Sequence, residues 1–135
     1  MCTPKTILAR MLFVIYVAMI ALLCFIHVDK LPEVQRQLFG FETDKLVHFV
    51  MFLPFPILAY LAYDHHTNKV WRAAAFALIS FVLGALLAMG TEYVQGYLPY
   101  RSRDLADLKA DIYALAISAI SVFIVDATHL KRRKN

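Results

Sequence analysis

At 135 residues the chain is long enough for one domain, yet 61% of it is hydrophobic and only 18% is charged, a balance that excludes an ordinary soluble globule. The formal charge of +4 is drawn partly from the basic run Lys131 to Lys134, which follows a hydrophobic segment and therefore reads as an anchor at anionic lipid, not as a nucleic-acid contact. Lipid is the solvent that such a composition fits.

The first apolar segment, Ile7 to Ile26, holds 20 residues with Arg10 as its one charge. At about 1.5 Å per residue it crosses a hydrocarbon core roughly 30 Å thick. Lys5 and Arg10 resemble the basic start of a secretory signal, but no small-x-small site follows, so a retained helix is expected. Between His27 and Lys45, the residues Leu31, Val34, Leu38 and Phe41 recur at helical spacing and suggest a short amphipathic helix at the membrane interface.

Leu46 to Tyr63 contains no charged residue, only His48, and is interrupted by Pro54 and Pro56. Each proline removes a donor and clashes with the carbonyl four residues back, so a kink or local unwinding is expected near Val50 and Phe52. Such a break either lines a cavity or only bends the helix. The connection at 64–69, with Asp64, His65 and His66, reads as a short solvated turn. Val70 to Met89 begins the third segment, whose helix is expected to run to Gln95, and Gly84 with Ala88 gives it a small-residue edge. The fourth helix is expected over about 107–126. The predicted fold is therefore all-α: one domain over 1–135, with four transmembrane helices at about 7–26, 46–63, 70–95 and 107–126 in a compact bundle, since no lipid-facing backbone can go unpaired.

With four spans, both termini and the 64–69 connection share one side, which carries eight basic and two acidic residues, a net of +6. The other side carries six basic and eight acidic residues, a net of −2. The positive-inside rule then makes the termini cytoplasmic. Tyr60, Tyr63 and Trp71 at one end, and Tyr93, Tyr97 and Tyr100 at the other, have the placement of interfacial belts. Cys2 and Cys24 fall at opposite ends of the first helix, so no disulfide or metal framework is expected.

Against this background the ionisable residues stand out. Asp44 and His48 open the second segment, Glu92 and Gln95 close the third, and Asp104, Asp107 and Asp111 open the fourth, all on the outer side. Each charge at membrane depth costs about 2.5–3.5 kcal/mol on insertion scales, so such a collection marks function by default. The i, i+4 and i, i+3 spacings place each pair on one helix face. With Asp126 at the inner surface, the 14 residues between it and Asp111 span about 21 Å, which sets Asp111 below the outer headgroups. Arg101 is the expected partner for these acids, because a guanidinium can bridge two carboxylates or bind phosphate through paired hydrogen bonds.

Taken in order, Asp44-Lys45-x-x-His48-Phe49, Glu92-x-x-Gln95, and Arg101-Ser102 with Asp107 six residues after the arginine resemble the motif series of the VanZ-like membrane proteins, over about residues 42–120. Asp111 stands where that family commonly has asparagine, and Ala114 where it commonly has glycine. The resemblance implies a four-helix unit of a bacterial cytoplasmic membrane. The founding member of the family is associated with resistance to teicoplanin, a lipid-tailed glycopeptide antibiotic.

Three functional expectations follow from the residues and the resemblance. In the first, Asp44, Lys45, His48, Glu92, Gln95, Arg101, Ser102, Asp107 and Asp111 bind the headgroup of a membrane lipid, a lipid-linked envelope precursor or a lipid-tailed glycopeptide. In the second, the chain is a membrane hydrolase or transferase acting on a lipid-linked phosphate or glycan, with Asp44, His48, Glu92 and Asp107 as catalytic candidates and Asp44 orienting His48. In the third, the groups form a purely structural polar network. A proton or ion transporter is less well matched, because the cytoplasmic half lacks a polar path. Carboxylates and an imidazole suit a divalent metal, but their spacing matches no metal motif, and no cofactor, metal or nucleic-acid partner is expected.

Overall fold

The computed structural model describes residues 4–25, 37–38, 41–63, 69–99 and 103–134. Helix α1, Pro4–Phe25, is followed by two short strands, β1 at Gln37–Leu38 and β2 at Phe41–Glu42. Helices α2, Thr43–Phe52, and α3, Phe55–Tyr63, form one broken span, and α4, Val70–Gln95, and α5, Leu105–Lys134, complete the bundle. Four spans are long and apolar enough to cross a membrane, with α2 and α3 counted together. The fold is thus an all-α multi-pass membrane bundle.

Its surface supports the same conclusion. Ile7, Leu8, Met11, Val14 and Ile15 on α1, and Leu78, Ile79, Leu83 and Leu86 on α4, are all exposed. Apolar area this extensive has no place against water but suits acyl chains. The interior is small and tight: Ile20, Cys24, Phe52, Phe55, Ala88, Ala114 and Leu115 form the core. Gly84 is buried where α4 meets α5, and a Cβ built there would lie 2.4 Å from Leu115 Cδ2 and 3.1 Å from Phe55 Cδ1. The small-residue edge therefore serves packing within the chain, because only a glycine lets the two helices approach this closely.

The break in the second span falls at Leu53–Pro54, bracketed by Leu53 N–H to Phe49 O at 3.0 Å and Leu58 N–H to Pro54 O at 2.9 Å. Tyr16 of α1 donates its hydroxyl to the carbonyl of Met51, and the Phe13 ring packs on Phe55 with centroids 5.3 Å apart. A neighbouring helix thus fills the proline break and satisfies a backbone group at it.

One expectation is corrected. Leu38 and Phe41 belong to an antiparallel pair, Gln37 opposite Glu42 and Leu38 opposite Phe41, and not to an interfacial helix. The glycine at position 40 of the sequence is a poor helix former, which weakens the helical reading of the apolar spacing. Leu31 and Val34 of that expected helix lie outside the described residues, as do Asp64, His65, His66 and Tyr100. Asp126 is buried within the bundle. It is 2% exposed, accepts a hydrogen bond from Tyr60 at 3.4 Å, and α5 continues eight residues beyond it to Lys134. Arg10, bonded to Ala62 O at 3.2 Å and lying over the Tyr63 ring, marks the same end of the bundle as Asp126 and Tyr60.

Candidate functional site

At the opposite end, α2, α4 and α5 bring their polar residues together. Because α2 starts at Thr43, Asp44 and His48 share a face, with Asp44 exposed and His48 only 4% exposed. Lys45 beside them is half-buried. Asp107 and Asp111 are likewise one turn apart on α5, at 5% and 0% exposure. They lie about 3 Å and 9 Å along the axis from the first residue of that helix, so the acids are sunk into its opening turns.

The decisive contact joins two helices. His48 Nδ1 lies 3.2 Å from Asp111 Oδ1 and 3.3 Å from Oδ2. With Nδ1 donating to that carboxylate, the ring is fixed and Nε2 is left as its second functional atom. The partner expected from spacing was Asp44; instead the cross-helix Asp111 holds the ring. One donor atom each from Asp44, His48 and Asp107 falls within 4.8 Å of the others. Asp107 Oδ1 is buried and has no hydrogen-bond partner among the described residues.

Glu92, buried on α4, closes the group from the side. Its Oε2 accepts the backbone N–H of Asp104 at 3.2 Å, and it lies within electrostatic range of His48 and Asp111. Asp104 in turn accepts the N–H of Ala106 at 2.7 Å, capping α5. Two carboxylates thus occupy the electropositive start of a helix, where negative charge is favoured. This cap role of Asp104 was missed by a site list drawn from intramembrane positions, although an aspartate just before an apolar helix is a recognisable cap signal.

Gln95 does not join the cluster. Its Nε2 donates to Cys24 O at 2.8 Å, bracing α4 against the end of α1. Arg101 and Ser102 lie outside the described residues. A different arginine is seen at the rim: Arg103 stacks 4.7 Å from the Tyr93 ring and 5.6 Å from Tyr97, and the two tyrosine hydroxyls are 2.6 Å apart. Gly96 makes room for it, since a Cβ there would fall 2.1 Å from Arg103 Nε. These exposed rings with a stacked cation have the character of an interfacial belt.

The site is therefore rich in oxygen acceptors, with His48, Glu92, Asp107 and Asp111 buried and Asp44 exposed. Sequestered carboxylates cost several kcal/mol each unless compensated, which sets the cluster apart from the apolar core around it. It can accept hydrogen bonds from hydroxyl or amide groups, exchange protons, or collect a cation.

The chain is 30% identical over 78 residues to an uncharacterized protein of Schizosaccharomyces pombe. That match covers 58% of this chain and 45% of the yeast protein, so the chain spans less than half of its relative's length. No family description and no solved structure matches the chain.

Proposed function

We propose that the cluster is a recognition site for the polar headgroup of a membrane amphiphile. The observation that carries this reading is the burial of His48, Asp107 and Asp111 beside exposed Asp44 at one end of a bundle whose flanks are apolar. A headgroup can enter from that end while its tail stays in lipid. Glu92, Asp107 and Asp111 accept hydrogen bonds from sugar or peptide groups, and Lys45, Arg101 and the rim Arg103 meet phosphate or carboxylate. Ser102 lies beside Arg101 in sequence and belongs to the same proposal.

The charge asymmetry orients the proposal: termini cytoplasmic, site facing outside or periplasm. The VanZ-like motif order supports a lipid-linked envelope molecule or a lipid-tailed glycopeptide in a bacterial cytoplasmic membrane. The test is lipid retention in nanodiscs loaded with extracted membrane lipid. Wild type should retain a headgroup-defined species, and Glu92→Gln should reduce its retention in a graded way. Unchanged retention by a variant altered together at Asp44, His48, Glu92 and Asp107 would remove the idea.

One observation favours a second reading, turnover of a lipid-linked phosphate or glycan. His48, oriented by Asp111 near an Asp107 oxygen that has no partner among the described residues, is an arrangement that general acid–base chemistry uses. Turnover of extracted lipid by wild type, lost in His48→Ala, would favour this reading over binding alone.

A further inference from the structure

Hydrogen bonding among the described residues leaves one buried atom of this site, Asp107 Oδ1, without a partner. Asp44, His48 and Asp107 each bring a ligand atom within 4.8 Å of the others. Asp107 is 5% exposed, yet its Oδ1 has no hydrogen-bond partner among the described residues. An orphaned buried acceptor costs about 1–3 kcal/mol relative to a satisfied one in ordinary proteins, so such an atom calls for a group that it meets. A carboxyl group beside an imidazole and a second carboxylate offers the donor atoms that a cation takes.

We propose that Asp44, His48 and Asp107 hold one divalent transition-metal ion, with Asp111 as the positioning residue for His48. Asp111 takes the imidazole Nδ1–H, which leaves Nε2 as the metal-binding atom, the carboxylate–histidine–metal relay that fixes both tautomer and ring angle. Two carboxylates and one imidazole favour Mn²⁺ or Zn²⁺ over Ca²⁺ and Mg²⁺, which prefer all-oxygen sites. An ion about 2.1 Å from each donor spaces the donors roughly 3–3.4 Å apart, so the cluster contracts on binding. Asp44 supplies that movement, because it is exposed on the first turn of α2 while the other two are fixed by burial. Three protein ligands leave coordination positions open toward the exposed side, where a phosphate or hydroxyl oxygen can complete the shell.

This site stands on its own geometry and does not require the headgroup reading. Helix spacing could not reveal it, because its ligands come from two helices that are adjacent only in the folded bundle.

The test uses the full chain, free of any affinity tag, in lipid nanodiscs. Mn²⁺ is titrated while its free concentration is followed by electron paramagnetic resonance, and Zn²⁺ is then added as competitor. One saturable Mn²⁺ per chain, displaced by Zn²⁺, is expected. Asp107→Asn and His48→Ala should each weaken binding at least 10-fold, and Asp111→Asn by roughly 10–100-fold, the usual effect of removing an outer-shell partner. Asp44→Asn keeps the test decisive if a buried variant fails to fold, since this exposed residue can be changed without disturbing the core, and it too should lose at least 10-fold. Absence of saturable binding by wild type, or binding that survives Asp44→Asn unchanged, would overturn the proposal. Metal binding without lipid retention would leave the ion site standing and remove the headgroup reading; lipid retention without metal would do the reverse.

Discussion

Gly84→Ala offers the sharpest check on how the bundle is packed. The added Cβ would meet Leu115 Cδ2 at 2.4 Å, more than 1 Å inside the separation of about 3.5–4.0 Å at which carbons attract. Leu115 is fully buried and Phe55 blocks a second direction at 3.1 Å, so the leucine has no free space into which to turn. Overpacking of this kind costs about 1–3 kcal/mol. The same change gains up to about 1 kcal/mol of helix propensity, so a net loss of up to about 2 kcal/mol is expected, and a loss of about 1–3 kcal/mol relative to a glycine-to-alanine change that meets no neighbour. Gly90 is the internal control, because a Cβ there meets nothing within 4 Å and Gly90→Ala keeps only the gain. Both variants can be compared by thermal or denaturant unfolding in micelles. Adding Leu115→Ala to Gly84→Ala should cost less than the two single losses combined, by at least about 0.5 kcal/mol. A Gly84→Ala protein as stable as Gly90→Ala would refute the close approach of α4 and α5.

Other contacts carry their own expectations. Tyr16→Phe removes the donor to the Met51 carbonyl at the proline break and should cost about 1–2 kcal/mol in the same unfolding assay. Asp104→Ala removes the cap on α5 and should cost about 1 kcal/mol, with faster hydrogen exchange at the Ala106 amide as its local signature. Gln95→Leu leaves the Cys24 carbonyl without its side-chain donor and should destabilise by about 1 kcal/mol without changing Mn²⁺ affinity, which separates the brace from the cluster. Ser118→Ala should be neutral or stabilising by up to about 1 kcal/mol, because the buried Ser118 hydroxyl oxygen has no partner among the described residues.

The four spans were legible because about 20 apolar residues in a row leave few alternatives. The proline break was legible for a similar reason, as a missing donor is a local property, but the residue that repairs it, Tyr16, lies 35 positions away from Met51. The single-helix spacings correctly put Asp44 with His48 and Asp107 with Asp111 on common faces. They could not say which residue faces which across helices. His48 meets Asp111 in place of Asp44, and Gln95, one turn from Glu92, turns to Cys24 while Glu92 turns to Asp104. Asp126 ends the fourth apolar stretch in the sequence, but its contact with Tyr60 of α3 and the continuation of α5 to Lys134 are properties of the fold that no spacing along one segment shows. At Leu38 and Phe41 the apolar spacing pointed to a helix, whereas these residues pair across two antiparallel strands.

The most direct test of the recognition reading is a crystal structure of the full chain grown from a lipidic mesophase doped with extracted membrane lipid. The expected result is a headgroup seated between Asp44 and Asp107, with its tail running along the bundle's apolar flank. A cluster closed on itself, with Asp107 bonded only to protein groups and lipid confined to the flanks, would contradict the reading and return these acids to a structural role.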